Sequence, residues 1–179
     1  MEDISSILCY TEYAGGYMKT IAFFGHRQIF NKQLVEERLI KVIEEVIPQG
    51  FSKFLIGSHG EFDSIALSTC LRYKRRNNGN ITINVVLTSL SALSRKKYGY
   101  SKADIYKNKG CEPILYDIEE EHFKNRIIAS NKKMVDESDL IICYVDRNLH
   151  KSGAKSAILY ALKQNKRVIN LFMESDMMK

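Results

Sequence analysis

Short apolar strands alternating with amphipathic helices predict an α/β fold. The expected form is three-layered: a doubly wound, mostly parallel sheet of about six strands with helices on both faces. Two observations carry that prediction. Runs such as Ile21-Ala22-Phe23-Phe24, Ile81–Leu87 and Ile141-Ile142-Cys143-Tyr144-Val145 are continuously apolar, as strands buried on both faces are. In addition, three strands lead into a small or polar turn that opens a helix: Gly25-His26-Arg27, Gly57-Ser58-His59-Gly60-Glu61 and Ser152-Gly153-Ala154. A glycine turn feeding a helix is a device for holding anions, because the helix start offers unpaired N–H groups and a positive dipole end.

Each element follows from its own residues. Residues 1–17 show no period and read as a poorly ordered extension, so that a single domain is expected over 18–179. The first strand is Thr20–Phe24. Asn31 is a natural N-cap for a helix over Lys32–Ile47, in which Leu34, Val35, Leu39, Val42, Ile43 and Val46 make one apolar stripe before Pro48-Gln49-Gly50 ends it. A second strand, Lys53–Ile56, precedes a helix from Glu61 to Arg75; Asn77-Asn78-Gly79-Asn80 is a turn, and Ile81–Leu87 is the third strand. Residues 88–110, rich in Ser, Lys, Tyr and Gly, read as an irregular loop on the ligand-binding side, either a lid or a surface insertion. Then come a short strand Pro113–Tyr116, a helix over Glu119–Glu137, a strand Leu140–Val145, a helix Gly153–Gln164 and a last strand Arg167–Phe172.

Composition narrows the class. The 179 residues are 45% hydrophobic and 27% charged, with a formal net charge of +6, as in an ordinary globular protein. No apolar run is long enough to cross a membrane. Cys9, Cys70, Cys111 and Cys143 are scattered without a CxxC pair, which points to reduced thiols and a cytoplasmic setting. His122 and His150 lack ligand partners at metal spacing, so no metal is assigned, and no cofactor is expected. The basic stretches Arg72–Arg76 and Arg95–Lys97 read first as solvated helix ends. They leave nucleic acid as a less favoured partner, since no aromatics interleave with them.

In the order and spacing of its turns the chain resembles the SLOG superfamily of Rossmann-like proteins. That group includes the DNA-processing protein A domain, the Lonely Guy phosphoribohydrolases and a YpsA-like branch. The resemblance spans most of residues 18–173. It rests on Ile21-Ala22-Phe23-Phe24-Gly25-His26-Arg27, on Gly57-xx-Gly60-xx-Asp63, and on Arg126, Asn131 and Met134 ahead of Asp139-Leu140-Ile141-Ile142. Its last element is Ser152-Gly153-Ala154, followed by Ile158-xx-Ala161 and Val168-Ile169. The Gly-His-Arg turn after the first strand makes the YpsA-like branch the nearest in pattern. The resemblance implies a homo-oligomer that binds a nucleotide or nucleotide-derived small molecule at the carboxyl ends of the strands, sensing or sequestering it. Lonely Guy enzymes place a glutamate in the helix after their glycine turn; the helix after Ser152-Gly153-Ala154-Lys155-Ser156 has none.

The candidate binding residues are therefore Gly25, His26, Arg27, Gly57, Ser58, His59, Gly60, Asp63, Arg126, Asn131, Ser152, Gly153, Ala154 and Ser156. Arg27 suits bidentate contact with a phosphate or carboxylate. Glu61 and Asp63 open a helix, where carboxylates are favoured by the dipole in any case. They can alternatively bind ribose hydroxyls, or act on an anomeric carbon as a glutamate does in the nucleoside deoxyribosyltransferases, with His59 protonating the leaving base. That second reading makes Glu61 and His59 catalytic, in an N-glycosidic-bond hydrolase or transferase. Asn131 is a poor helix former in mid-helix, which hints at a specific hydrogen bond.

Overall fold

The computed structural model describes residues 18–77, 80–94, 99–118, 123–146, 148, 152–173 and 176. The expected N-terminal extension, His122, His150 and the Arg95–Lys97 stretch lie outside the described residues. Six strands form one sheet, β1 (Lys19–Gly25), β2 (Phe51–Ile56), β3 (Thr82–Leu87), β4 (Glu112–Leu115), β5 (Leu140–Tyr144) and β6 (Arg167–Asn170), in the order β4-β3-β2-β1-β5-β6. All five neighbouring pairs are parallel. This is the α/β, Rossmann-like architecture that the alternation predicts.

The chain builds outward from β1 to β4, then crosses back to lay β5 on the other side of β1. Strand order therefore reverses between β1 and β5, and the helices divide between the two faces accordingly. Helices α1 (Lys32–Val46) and α2 (Glu61–Arg76) cover one face, where Phe23, Phe54, Ile83 and Ile142 meet Leu39, Ile43, Phe62 and Ala66. Helices α4 (Phe123–Asp136) and α5 (Gly153–Lys163) cover the other, where Ala22, Leu55, Val86 and Ile141 meet Met134, Val135, Ile158 and Ala161. Alternate residues of one strand thus serve two cores, which is why the strands read as unbroken apolar runs.

Local signals account for most boundaries. The Asn31 side chain accepts a hydrogen bond from the Leu34 N–H (3.1 Å), capping α1, while Gly50 at φ 92° turns the chain into β2. The main departure from expectation lies within 88–110. A short helix, α3 (Lys102–Asn108), stands there in place of irregular chain. Its signature is a capping box: the Ser101 hydroxyl accepts from the Asp104 N–H (3.0 Å), and the Asp104 carboxylate accepts from the Ser101 N–H (2.9 Å). The Ser-x-x-Asp spacing is present in the sequence, but it precedes too short an apolar pattern to signal a helix. Cys70, Cys111 and Cys143 are buried, with no disulfide among the described residues. Among the described residues no helix is long and apolar enough to cross a membrane.

The C-terminal segment is fastened by a partly buried ion pair. Arg38 on α1 grips Asp176 with both guanidinium nitrogens (2.7 and 3.0 Å) and also donates to the Leu171 carbonyl (2.9 Å). Asp176 in turn accepts from the Tyr144 hydroxyl (3.3 Å). Burial and the neighbouring Asp176 carboxylate push the Tyr144 phenol up to about 12. Tyr144 ends β5 and stacks on Phe62 of α2, so the clasp is packed against the core on the α1/α2 face of the sheet.

Candidate functional site

Parallel strands deliver the residues that follow them to one edge of the sheet, and at the β1/β5 reversal the covering helices diverge to leave a crevice. A cleft of about 450 Å³ lies there. Its walls include Gly25, His26 and Arg27 after β1; Gly57, His59 and Gly60 after β2; Asp63 on α2; Asn131 on α4; and Ser152, Gly153 and Ala154 opening α5. The structure thus brings parts of all three turns to one space.

The turns differ in what they offer a ligand. The N-terminus of α2 is already occupied by the protein itself. The Glu61 N–H donates to the Arg27 carbonyl (3.1 Å), the Phe62 N–H to the His26 carbonyl (3.5 Å), and the N–H groups of His59 and Gly60 to the Asp63 carboxylate (2.9 and 3.1 Å). The glycines of the first two turns allow this interlock. A Cβ on Gly25 would lie 2.3 Å from the Phe62 ring, one on Gly57 2.7 Å from the Asp63 carboxylate, and one on Gly60 3.3 Å from the Arg27 backbone.

The start of α5 is different. The Ser152 hydroxyl accepts from the Lys155 N–H (3.0 Å), capping the third N–H of the helix. The N–H groups of Gly153 and Ala154 have no acceptor among the described residues. Here glycine leaves open space: a Cβ on Gly153 would meet only the Asn131 amide, at 3.8 Å. Asn131 is half-buried and has no hydrogen-bond partner among the described residues. Two backbone donors and a side-chain amide therefore face one pocket.

Two histidines and a cation define the opposite wall. The Asp146 N–H donates to His26 Nε2 (2.8 Å), which fixes the ring as the Nδ1–H tautomer. Burial holds its pKa below the ordinary value, against the pull of the Asp146 carboxylate. His59 Nε2 is hydrogen-bonded to the Thr88 hydroxyl (2.5 Å). Burial, and the nearby Lys102 and Arg27, hold His59 below its ordinary value as well. Arg27 is exposed and has no carboxylate within ion-pair distance among the described residues. The carboxyl of Asp63 is raised by burial, against the opposing effect of its two N–H donors and Lys102.

Four expected residues stand elsewhere. Glu61 lies outside the cleft, where Lys32 (2.6 Å) and the Ile29 N–H (2.7 Å) take both its oxygens and hold its pKa below the usual range. The Ser58 hydroxyl donates to the Val86 carbonyl (3.1 Å), and the residue borders a smaller hollow beyond His59. Arg126 lines a separate hollow of about 190 Å³ beside Tyr116. Ser156 is exposed one turn into α5, its N–H donating to the Ser152 carbonyl (3.0 Å). Ser58, Glu61 and Ser156 are chain neighbours of cleft residues, and Arg126 is expected there from the family resemblance alone. Successive side chains of a strand or helix point in different directions, so neighbours in the chain need not share the cleft.

Conversely, Thr88, Ser130, Ile127 and Met134 line the cleft without having been singled out as site residues. Thr88 directly follows β3, so its place at the carboxyl edge is legible from the strand assignment. Ile127, Asn131 and Met134 sit at i, i+4 and i+7 and share one face of α4. Among the described residues, no cluster of His, Cys, Asp and Glu is placed to hold a metal ion.

Comparison with family models finds no match for this chain, and comparison with curated proteins finds none either. Among solved structures the chain aligns with the universal stress protein from Archaeoglobus fulgidus. One such structure, in complex with dAMP, shows 15% identity and a TM-score of 0.34, covering 86% of this chain and 97% of that one. A second shows 14% identity and a TM-score of 0.38, covering 86% and 98%. The fold class stands on the sheet itself, and neither likeness adds to the reading of the site.

Proposed function

We propose that this chain binds a nucleotide or nucleotide-derived small molecule in the β1/β5 cleft, as a SLOG-type sensing or sequestering protein. One observation carries the reading: the N–H groups of Gly153 and Ala154 open into the cleft beside the Asn131 amide, with Arg27 on the facing wall. Amide donors at a helix start favour a phosphate, a guanidinium adds charge, and the cleft volume is that of a small-molecule site. The neutral His26 ring adds a donor through Nδ1.

The same geometry argues against glycosidic chemistry at this site. Glu61 is turned outward and engaged by Lys32, and Asp63, the one carboxylate among the described cleft residues, is committed to holding the turn before α2. Binding without bond cleavage is the function the arrangement supports best.

Thermal unfolding with AMP and with adenosine tests it. AMP is expected to raise the melting temperature in proportion to the logarithm of its concentration. Adenosine, lacking the phosphate, should raise it far less, and AMP should remain intact after incubation. Equal shifts with both, or no shift with either, would remove the phosphate from the account; release of free adenine would restore the enzymatic reading.

A further inference from the structure

Beyond the His59–Thr88 hydrogen bond the cleft continues. Both residues also border a second space of about 260 Å³ on the α3 side, walled further by Ser58, Ser89, Tyr100 and Lys102. At that size it falls below the roughly 300 Å³ at which stand-alone small-molecule sites begin, so it reads as an annex of the main cleft. Its lining is mixed. The Lys102 ammonium donates to the Ser58 carbonyl (3.2 Å), which holds it over the end of β2, and the Ser89 and Ser91 hydroxyls bond each other (2.6 Å) at the far side. Tyr100 stands 64% exposed and Ile105 48% exposed at the lip.

An exposed aromatic face, hydroxyls and a cation in one hollow fit a nucleoside: a base to stack, ribose hydroxyls to bond and an adjoining phosphate to pair. The wall between the two spaces also carries positive charge on both flanks. Arg27 lies on the main-cleft side of His59 and Lys102 on the annex side.

We propose that the site takes a phosphodiester-linked pair of nucleosides, one in each space, with the linking phosphate crossing the His59–Thr88 wall between Arg27 and Lys102. This rests on the anion-binding reading above and names the ligand class for it.

Calorimetric titration of the full chain with AMP, ADP and the linear dinucleotide pApA tests the inference. The expected result is pApA at least tenfold tighter than ADP, which supplies extra charge without a second nucleoside. Tyr100→Ala should remove roughly tenfold of the pApA affinity, the scale of one lost base-stacking contact, and leave AMP binding unchanged. Tyr100 is exposed, so this variant leaves the core intact. AMP binding with no gain for pApA over ADP overturns this inference alone. A Tyr100→Ala change that weakens AMP and pApA equally overturns it too, and binding of none of the three overturns it together with the reading beneath it.

Discussion

Gly25 and Gly153 show how one residue type serves opposite ends in the same cleft. At Gly25 the missing side chain admits Phe62, whose ring would lie 2.3 Å from a Cβ; at Gly153 it leaves a gap bordered by Asn131. Gly25→Ala is accordingly expected to destabilise the fold by about 3 kcal/mol, the upper range for an overpacked core. Gly153→Ala, at the first position of a helix, should leave the urea midpoint unchanged or slightly raised. Chemical denaturation of the two variants checks both; equal losses would mean that Gly153 too is a packing residue. The sequence marks both positions as glycines in turns between a strand and a helix and cannot separate them, because the difference lies in what a distant element brings against each.

The two cleft histidines make a pH prediction at the same scale. His26 and His59 both have folded pKa values below their ordinary 6.5, so the unfolded chain takes up protons first as pH falls. Their contribution is therefore fully present above pH 6.5 and is lost as pH drops through the folded values. Stability measured by urea unfolding should decline from pH 7.5 to 5. His26→Gln, which can keep an acceptor for the Asp146 N–H, should flatten that slope. An unchanged slope in this variant would show that His26 is not held neutral by its surroundings.

At the level of elements, α2 and α5 present helix starts that look alike in sequence and differ in use. Asp63, at the third position of α2, spends its carboxylate on the N–H groups of His59 and Gly60, and the first turn's carbonyls take those of Glu61 and Phe62. At α5 the capping oxygen belongs to Ser152 and reaches only Lys155, which leaves two donors over the cleft. Asp63→Ala is expected to cost about 1–2 kcal/mol, the value of a lost helix cap. It should also loosen the β2–α2 turn, read as faster amide exchange at His59 and Gly60. Retained protection there would show that the turn does not depend on the carboxylate.

The elements themselves were largely readable. Continuous apolar runs gave all six strands to within a residue or two, and the Asn31 cap and the apolar stripe gave α1. What was not readable was α3, seven residues long with a single buried position, Ala103. The clasp that joins α1 to the C-terminal segment was equally hidden, since Arg38 and Asp176 are far apart in the chain and belong to no local pattern. Their side chains are only 16% and 5% exposed, so removing one partner strands a mostly buried charge. Arg38→Met is expected to lower the urea midpoint well beyond Lys32→Met, which breaks the exposed Lys32–Glu61 pair. Equal effects would mean that the clasp is peripheral to stability.

For the whole molecule, sheet order decides where function can sit. Because β1 and β5 are neighbours while the chain runs outward to β4 between them, the crevice opens above β1, and turns more than a hundred residues apart come to face one another. The sequence supports the expectation of convergence through a general rule about parallel sheets. It does not reveal which donors remain open once the turns have packed. That is settled by long-range contacts: His26 and Arg27 carbonyls on α2, Asp146 on His26, Lys32 on Glu61.

The central claim, that α5 and not α2 supplies the phosphate-binding donors, is tested most directly by amide resonances. Two-dimensional ¹⁵N–¹H spectra recorded during titration with AMP should show the Gly153 and Ala154 amides shifting and saturating together, while those of Glu61 and Phe62 stay in place. Movement of the Glu61 and Phe62 amides with Gly153 and Ala154 unmoved, or no movement at any of the four, would contradict it.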